Sequence, residues 1–516
     1  MSWHSSRDVS FNQSIRNIFS ENSVLDQGIE CIESVLEPGS ASAMALTPEQ
    51  RKGLMQLKLT LCEGVHEESF VPIALLKRSE KTHSPQDAFL LQHFGGVASK
   101  SWTKNLLLRT VNKVKNANMF LKGIQLKEEE SPKVVVDVAS ASCSVPEEWN
   151  ELTLETQHRL REMLSWESLS KWDFPILDIA KLTNGHPLLF VGWAILCSPH
   201  SQRLMDLACG TNTVKPKGKR GGYKFIETFN MEIEEVAGFL RLIERHYKDV
   251  PYHNRTHAAD ITQSLHALLQ MNGKDFASQP LELLSILLSA IVHDVSHPGL
   301  NNAFQVNAKS ELALFYNDIS VLENMHVAKT FELLMGEGAD PSVNILSGLT
   351  KDEILIVRKQ MIDSVLHTDM TKHFQSVSHI KGLLNLSSNP AKLSRDHKRD
   401  ILTFLLHLAD ISNPAKPSPY FEHWTDAVLE ESFAQGAKEK SLGLPVSPQC
   451  DRSIVKRSES QIGFIEFVVM PAWEVVGKFL PRAQKEILPI LQQNLKFWEE
   501  QAKRQAKEEV NKTGNS

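Results

Sequence analysis

Three short segments of the sequence contain closely spaced histidine and aspartate residues. PYHNRTH carries His253 and His257, HDVSH begins with His293 and Asp294, and HLADISNP contains Asp410. Neutral imidazole nitrogen and anionic carboxylate oxygen together suit zinc, and an aspartate can also bridge to a second, water-rich ion such as magnesium. The residue types and their grouping therefore predict a divalent-metal site.

Two of the three segments follow apolar runs that are typical of buried helices. Leu281–Val292 ends directly before His293, and Ile401–Leu406 ends directly before HLADISNP. We expect these helices to deliver their polar residues to the bottom of a pocket. His253 and His257 are four residues apart, so they would share one face of a helix. Each pair alone is weak evidence, but the order His, His-Asp, Asp along buried helices is a strong signal.

The wider pattern is also helical. In Ile233–Tyr247 five apolar residues share one helical face, and Arg241 falls on the side expected to face solvent. Few segments alternate with period two, and no repeat of fixed period is visible. The sequence therefore predicts an all-α fold, with one compact multi-helix domain and a smaller, mostly helical N-terminal region.

The length of 516 residues exceeds one typical domain and suggests a large domain plus a smaller region. The segment KEEESPKVVVDVASASCSVPEEW passes from a charge run to small residues and proline, which indicates a linker. We predict an N-terminal region over 1–125, a linker over 126–150, the large domain over 151–505 and a frayed, charged tail over 506–516.

The composition excludes several classes of protein. With 41% hydrophobic and 23% charged residues, the chain has enough apolar material for a large core. Its net charge of −6 argues against general nucleic-acid binding. The six cysteines are scattered without C-x-x-C spacing, which favours a reducing compartment. The first residues contain no apolar run of the secretory type, so we expect a cytoplasmic protein.

One N-terminal segment has an unusual charge pattern. Between Ala88 and Lys127 there are seven basic residues and no acidic ones, with apolar residues interleaved. A basic amphipathic helix can bind calmodulin or an anionic membrane surface. The alternative is a helix that packs on its own domain and leaves its basic face in water. A regulatory role for this region, and any oligomeric state, stay open.

The order His257, His293-Asp294, Asp410 resembles that of the HD superfamily of metal-dependent phosphohydrolases. More specifically, HDVSHPGLNNAF resembles the signature of class I cyclic nucleotide phosphodiesterases, as do YHNRTHAAD, ELALFYNDISVLEN, HTDM, LADISNP and SQIGFIEF. The similarity runs from roughly residue 164 to residue 498, and its motifs keep the family's order. It implies a catalytic domain that hydrolyses 3′,5′-cyclic nucleotides to nucleoside 5′-monophosphates.

The resemblance also implies roles for single residues. His257, His293, Asp294 and Asp410 match the ligands of a tightly bound metal, usually zinc. Asp294 would bridge to a second metal, usually magnesium with manganese as an alternative, and the two metals would activate a hydroxide. His253 matches the general acid that protonates the O3′ leaving group. Positions that orient the ligands and metal-bound waters are matched by His297, Asn302, Glu323 and Thr368.

A nucleotide pocket is implied as well. Gln461 matches the residue that pairs with the purine edge, and Phe464 can stack on the base against Val428. Asn413 favours cAMP, whereas rotation of the Gln461 amide leaves cGMP as a second substrate. The matched pocket positions are Tyr252, Met370, Asn413, Val428, Phe433, Gln461 and Phe464.

Three positions depart from the family pattern. Ser296 replaces an acidic residue, Met325 replaces a histidine, and Ser432 replaces a phenylalanine on the pocket floor. None of them is a matched metal ligand, so they bear on affinity and rate more than on the class of reaction. Two alternatives remain open: an HD-type phosphohydrolase of another nucleotide, and a weakly active cyclic-nucleotide sensor.

Overall fold

The computed structural model describes residues 145–210 and 221–513, and the region 1–125 with its basic segment lies outside them. Twenty α-helices and no strand occur in the described ranges, which confirms the prediction of an all-α fold. The first ten are α1 (Leu154–Met163), α2 (Trp166–Leu169), α3 (Ile176–Leu182), α4 (Pro187–Leu196), α5 (His200–Ala208), α6 (Phe225–Thr228), α7 (Ile233–His246), α8 (Arg255–Gln270), α9 (Pro280–Val292) and α10 (Asn302–Asn307).

The second half of the domain has longer helices. They are α11 (Glu311–Tyr316), α12 (Val321–Met335), α13 (Lys351–Leu366), α14 (His373–Leu386), α15 (Arg395–Asp410), α16 (Tyr420–Ser441), α17 (Arg457–Phe464), α18 (Met470–Phe479), α19 (Pro481–Glu486) and α20 (Leu488–Thr513). Short 3₁₀ turns occur at Glu147–Glu151, Gly273–Phe276, Pro341–Val343, Met370–Lys372, Pro390–Lys392 and Asn413–Ala415, and a π-helical turn at Ile465–Val469 joins α17 to α18.

The centre of the domain is formed by α8, α9 and α15, which pack against one another. From Leu284 to Val292, every residue of α9 is buried. A helix that is apolar on all sides must be covered on all sides, and the neighbouring helices supply that cover. Because α9 and α15 both end at polar residues, their carboxyl ends open onto one shared site.

The apolar stripe predicted for Ile233–Tyr247 is confirmed in α7, where its five apolar residues are buried. The position of Arg241 differs from the prediction that it faces solvent. Its guanidinium group is half-buried and donates hydrogen bonds to both carboxylate oxygens of Glu148. A planar guanidinium matches the two oxygens of a carboxylate, so this pair clamps the start of the described chain onto α7.

The end of the predicted linker belongs to the folded domain. Val145 and Trp149 are buried, and the indole of Trp149 lies 6.2 Å from the ring of Phe190 in α4. The end of the predicted linker is therefore folded, because Trp149 fills the core although it follows a segment of small residues and proline. The compact domain therefore begins at or before Val145.

Replacing Trp149 with alanine tests this boundary. We expect the Trp149→Ala variant to lose about 3–5 kcal/mol of unfolding free energy, since a fully buried indole would leave a cavity. Urea unfolding of the purified variant measures the change. Exposed Leu154→Ala is the matched control and should change stability by less than about 0.5 kcal/mol. Equal stability of the two variants would place Trp149 outside the folding unit.

The last helix is longer than the sequence indicates. α20 continues to Thr513, so most of the segment 506–516 that we predicted to be frayed is helical. The reason is local: the tail is rich in good helix formers, and Arg504 lies 3.8 Å from Glu500 one turn earlier. Among the described residues, none of the helices combines the length and the apolar character needed to cross a bilayer.

Candidate active site

The start of α8 sets the spacing of the first two histidines. Asn254 is the N-cap residue, and its side-chain oxygen accepts from the backbone N–H groups of Thr256 and His257. His253 therefore precedes the helix, and the prediction that it shares a helical face with His257 is wrong. The two rings still lie 5.9 Å apart, because the extended cap residue turns His253 back toward the helix.

Four of the predicted ligands converge. The side chains of His257, His293, Asp294 and Asp410 each present one atom, and these atoms all lie within 4.8 Å of one another. His257 Nε2 is 3.1 Å from an Asp410 oxygen and 3.4 Å from His293 Nε2. His293 Nε2 is 3.1 Å from Asp294 Oδ2. The three central helices thus bring residues from distant parts of the chain to one point.

These distances fit a bound cation. Zinc with ligands at about 2.0–2.2 Å in tetrahedral geometry requires ligand atoms roughly 3.4 Å apart, close to the spacing observed here. Asp294 Oδ2 is buried and makes no hydrogen bond of good geometry, although His293 Nε2 lies 3.1 Å away, and such an atom is suited to face a metal. His293 Nδ1 lies 2.9 Å from the carbonyl oxygen of Ala290, which leaves Nε2 free to act as a ligand. The donor set therefore fits a divalent ion.

The electrostatics of the cluster agree with this arrangement. Burial alone would raise the pKa of Asp410, but the adjacent His293 outweighs it and holds that pKa well below the usual range. The pKa of Asp294 is lowered in the same way. The charged His293 ring compensates these two ionised carboxylates, and its own pKa is raised by them. A divalent cation bound to His293 Nε2 would take over this compensation.

His253 has a partner that the sequence did not reveal. Its Nδ1 bonds to the carboxylate of Glu431, which also accepts the backbone N–H groups of Tyr252 at 2.9 Å and His253 at 3.1 Å. Burial lowers the pKa of His253, but the charges of Glu431 and Asp294 outweigh it and raise the pKa to about 9. His253 therefore stays protonated at neutral pH. Glu431 is 178 residues away along the chain, and no motif marks it.

Two further histidines lie beside the cluster. His297 stacks on His253 with ring centres 3.9 Å apart, and burial with the His253 charge holds its pKa well below the usual range. His326, which we did not single out, bonds through Nδ1 to the carbonyl of Val295 at 2.7 Å and lies 3.5 Å from Asp294. Burial lowers the pKa of His326 to about 4, so both rings are neutral.

Asn302 and Glu323 form a contact next to this group. The amide of Asn302 donates to both carboxylate oxygens of Glu323 at 3.1 and 2.9 Å, and burial raises the pKa of Glu323 to about 8. Thr368 is buried, but its hydroxyl donates to the carbonyl of Val365 at 2.8 Å. Asn302 and Glu323 thus contact each other, whereas the Thr368 hydroxyl is bonded to the last turn of α13.

The predicted pocket residues divide into a buried pair and a peripheral group. Tyr252 packs against the ring of His257 at 4.5 Å, and its hydroxyl accepts from the Asn413 amide nitrogen. The side-chain oxygen of Asn413 is buried without a hydrogen-bond partner. An unpartnered acceptor beside the ligand cluster is the feature expected of a substrate contact.

The other pocket residues lie on three elements. Gln461 is buried on α17 and Phe464 ends that helix, whereas Val428 and Phe433 are half-buried on α16. The Ser432 hydroxyl donates to the Val428 carbonyl, so it is satisfied within α16. Half-buried Met370 opens the 3₁₀ turn before α14.

The remaining histidines of this region divide into core and surface positions. His266 is buried between Ser170 and Tyr223, and burial lowers its pKa to about 3. His379 pairs with Asp400 at 2.9 Å near the surface. Neither ring belongs to the cluster, so a structural role suffices for them.

Helices that deliver a His, His-Asp, Asp set to one buried point form the arrangement expected of the HD type of phosphohydrolase. The family model described as 3'5'-cyclic nucleotide phosphodiesterase matches residues 252–490. Over these residues the helical domain of this chain is similar to the members of that family. The match spans the metal cluster, His253 and the pocket residues.

Two curated relatives are similar over about 64% of this chain. One is 3',5'-cyclic-AMP phosphodiesterase 4C of Mus musculus, 35% identical over 339 residues. The other is 3',5'-cyclic-AMP phosphodiesterase, isoform F, of Drosophila melanogaster, 41% identical over 337 residues. The chain spans 45% and 47% of the length of these relatives.

Solved structures agree with the sequence comparison. The phosphodiesterase domain of Salpingoeca rosetta rhodopsin phosphodiesterase is 29% identical, with a TM-score of 0.57. The match covers 68% of this chain and 97% of that domain. The similarity therefore extends over the whole of that catalytic domain.

Proposed function

We propose that this chain hydrolyses 3′,5′-cyclic nucleotides to nucleoside 5′-monophosphates in cyclic nucleotide signalling, with cAMP favoured and cGMP as a second substrate. The observation that carries the proposal is the convergence of His257, His293, Asp294 and Asp410, with His253 beside them. The family match supports the reaction, and the names of the curated relatives support cAMP.

The proposed cofactors are two divalent ions, zinc held by His257, His293, Asp294 and Asp410, and magnesium or manganese held in part by Asp294. When bound, such ions would supply charge neutralisation for the phosphate and a lower pKa for water. The chain contributes the fixed ligand geometry. His293 is oriented by the Ala290 carbonyl, and the hydroxyl of Tyr247 donates to the Ile291 carbonyl at 2.9 Å, which holds the end of α9.

His253 is the proposed general acid. The attacking water loses one proton to solvent as its oxygen adds to phosphorus, the bond from phosphorus to O3′ breaks, and O3′ takes a proton from the imidazolium of His253. The raised pKa favours the protonated ring, and deprotonation at higher pH removes the acid. Glu431 contributes by stabilising the charged ring and by fixing its direction.

The pH profile of turnover tests the role of Glu431. In the Glu431→Gln variant we expect the alkaline limb of kcat to move to lower pH by about 1–3 units, because the charge that raises the His253 pKa is lost. Glu430→Gln is the matched control, since Glu430 is exposed and pairs with Arg452. An unshifted limb in Glu431→Gln would show that the carboxylate does not set the protonation of the acid.

Binding of the base tests the substrate class. Gln461→Ala should weaken binding of cAMP by about 10- to 100-fold, since a buried amide that pairs with the purine edge would be lost. Equilibrium dialysis with labelled cAMP measures the affinity, carried out in the slow His253→Gln background so that the ligand is not consumed, and exposed Gln492→Ala is the control. Unchanged affinity would favour an HD-type phosphohydrolase that acts on another nucleotide. Full affinity without turnover in the wild-type protein would favour the sensor.

A further inference from the structure

The 3₁₀ turn Asn413–Ala415 is held from outside the active site. It follows Asp410 directly and carries Asn413, whose side-chain oxygen is buried without a partner. The backbone of this turn exposes three successive carbonyl groups, those of residues 414–416, to donors from other parts of the fold. The direction of the Asn413 side chain therefore depends on how these carbonyls are bound.

Asn494 supplies two of the three donors. Its side chain, on α20, is buried, and the amide nitrogen donates to the carbonyl of Pro414 at 2.8 Å and to that of Lys416 at 2.7 Å. Two bonds from one nitrogen use both of its hydrogens, so the amide is fully committed to the turn. A helix from the end of the chain is thereby fastened to the segment that presents Asn413.

Trp172 supplies the third donor. Its indole N–H donates to the carbonyl of Ala415 at 2.8 Å, and the ring is held edge-on by Trp473 with centres 5.4 Å apart. The ammonium group of Lys416 lies over the same ring at 4.6 Å. It bonds to Asp260 at 3.0 Å, on the helix that also carries His257. The turn is thus tied to α8, to α20 and to the segment before α3.

We propose that Asn494 and Trp172 are positioning residues that set nucleotide selectivity by fixing the turn and, with Tyr252, the orientation of the Asn413 amide. The Tyr252 hydroxyl accepts from the Asn413 nitrogen, so the buried, unpartnered oxygen is the atom of this amide that is left to accept from a base. An acceptor matches the amino group of adenine and opposes the O6 acceptor of guanine. This inference rests on the proposed function. It attributes the enzyme's preference for cAMP to the contacts of Asn494 and Trp172, which lie outside the nucleotide pocket.

The test compares cAMP and cGMP hydrolysis by Asn494→Asp, which keeps the shape but removes both donors. We expect KM for cAMP to rise about tenfold, and the ratio of kcat/KM for cAMP over cGMP to fall by a similar factor. The kcat for cAMP should stay within about threefold of wild type, and the metal content should not change. Exposed Gln493→Glu is the matched control and should behave as wild type.

Trp172→Phe keeps the aromatic ring but removes its donor, and it serves as an independent variant if Asn494→Asp does not fold. The same shift in the nucleotide ratio, smaller in size, is expected. An equal loss of kcat for both nucleotides, or an unchanged ratio, would overturn the positioning role. So would a wild-type protein that hydrolyses cAMP and cGMP with equal efficiency. A wild-type protein that hydrolyses neither nucleotide would instead overturn the proposed function.

Discussion

Asp410→Ala will abolish turnover and loosen the metal. The carboxylate lies 3.1 Å from His257 Nε2 and 3.4 Å from His293 Nε2, so its removal opens the ligand cluster on one side. A cation contributes several kcal/mol of transition-state stabilisation, and its loss should lower kcat by about a thousandfold or more. Metal content measured by atomic emission should fall together with activity. His257→Ala should behave in the same way.

Asp400→Ala provides the control for this result. Asp400 is on the same helix, α15, but it pairs with His379 near the surface, away from the ligand atoms. We expect it to retain both metal and turnover. If Asp410→Ala kept full activity with unchanged metal content, the assignment of the site would be wrong.

His253→Gln should lower kcat for cAMP by about 10²- to 10⁴-fold, the range typical of a lost general acid. Unlike the Asp410 variant, it should keep its metal, because His253 is not in the cluster formed by His257, His293, Asp294 and Asp410. The separation of metal content from activity therefore distinguishes the two roles.

A substrate with a good leaving group tests whether His253 acts as the general acid. Nitrophenolate departs without protonation, so bis(4-nitrophenyl) phosphate does not need the acid that the O3′ alkoxide needs. We expect His253→Gln to lose less than about tenfold with this ester. His379→Ala is the control histidine and should match wild type on both substrates. An equal loss on both substrates would exclude the role of acid for His253.

The positions of the metal-ligand candidates could be predicted from sequence, because an apolar run that ends in polar residues indicates a buried helix with a polar end. The runs before His293 and Asp410 are the clearest examples, and both form helices that end at the site. The local conformation around His253 could not be derived in this way. A spacing of four residues is compatible with a helix, and only the cap at Asn254 shows that α8 starts later.

Contacts between segments that are distant in the chain were the main features that the sequence did not predict. Glu431 bonds to His253 and Asn494 bonds to the turn after Asp410, yet neither residue lies in a motif. Trp149 was assigned to a linker because the segment before it passes from a charge run to small residues and proline. In each case tertiary packing decides the role of the residue, and periodicity or local composition carries no information about it.

The convergence of ligands from three helices has a thermodynamic consequence. His257 and Asp410 are 153 residues apart in the chain, so the unfolded polypeptide offers no preformed chelate. An ion that binds only the native state stabilises it by mass action, by about 2.7 kcal/mol at a free concentration one hundred times its Kd. The free energy of unfolding would then depend on the concentration of free metal ions. The population of unfolded chains would rise whenever that concentration falls.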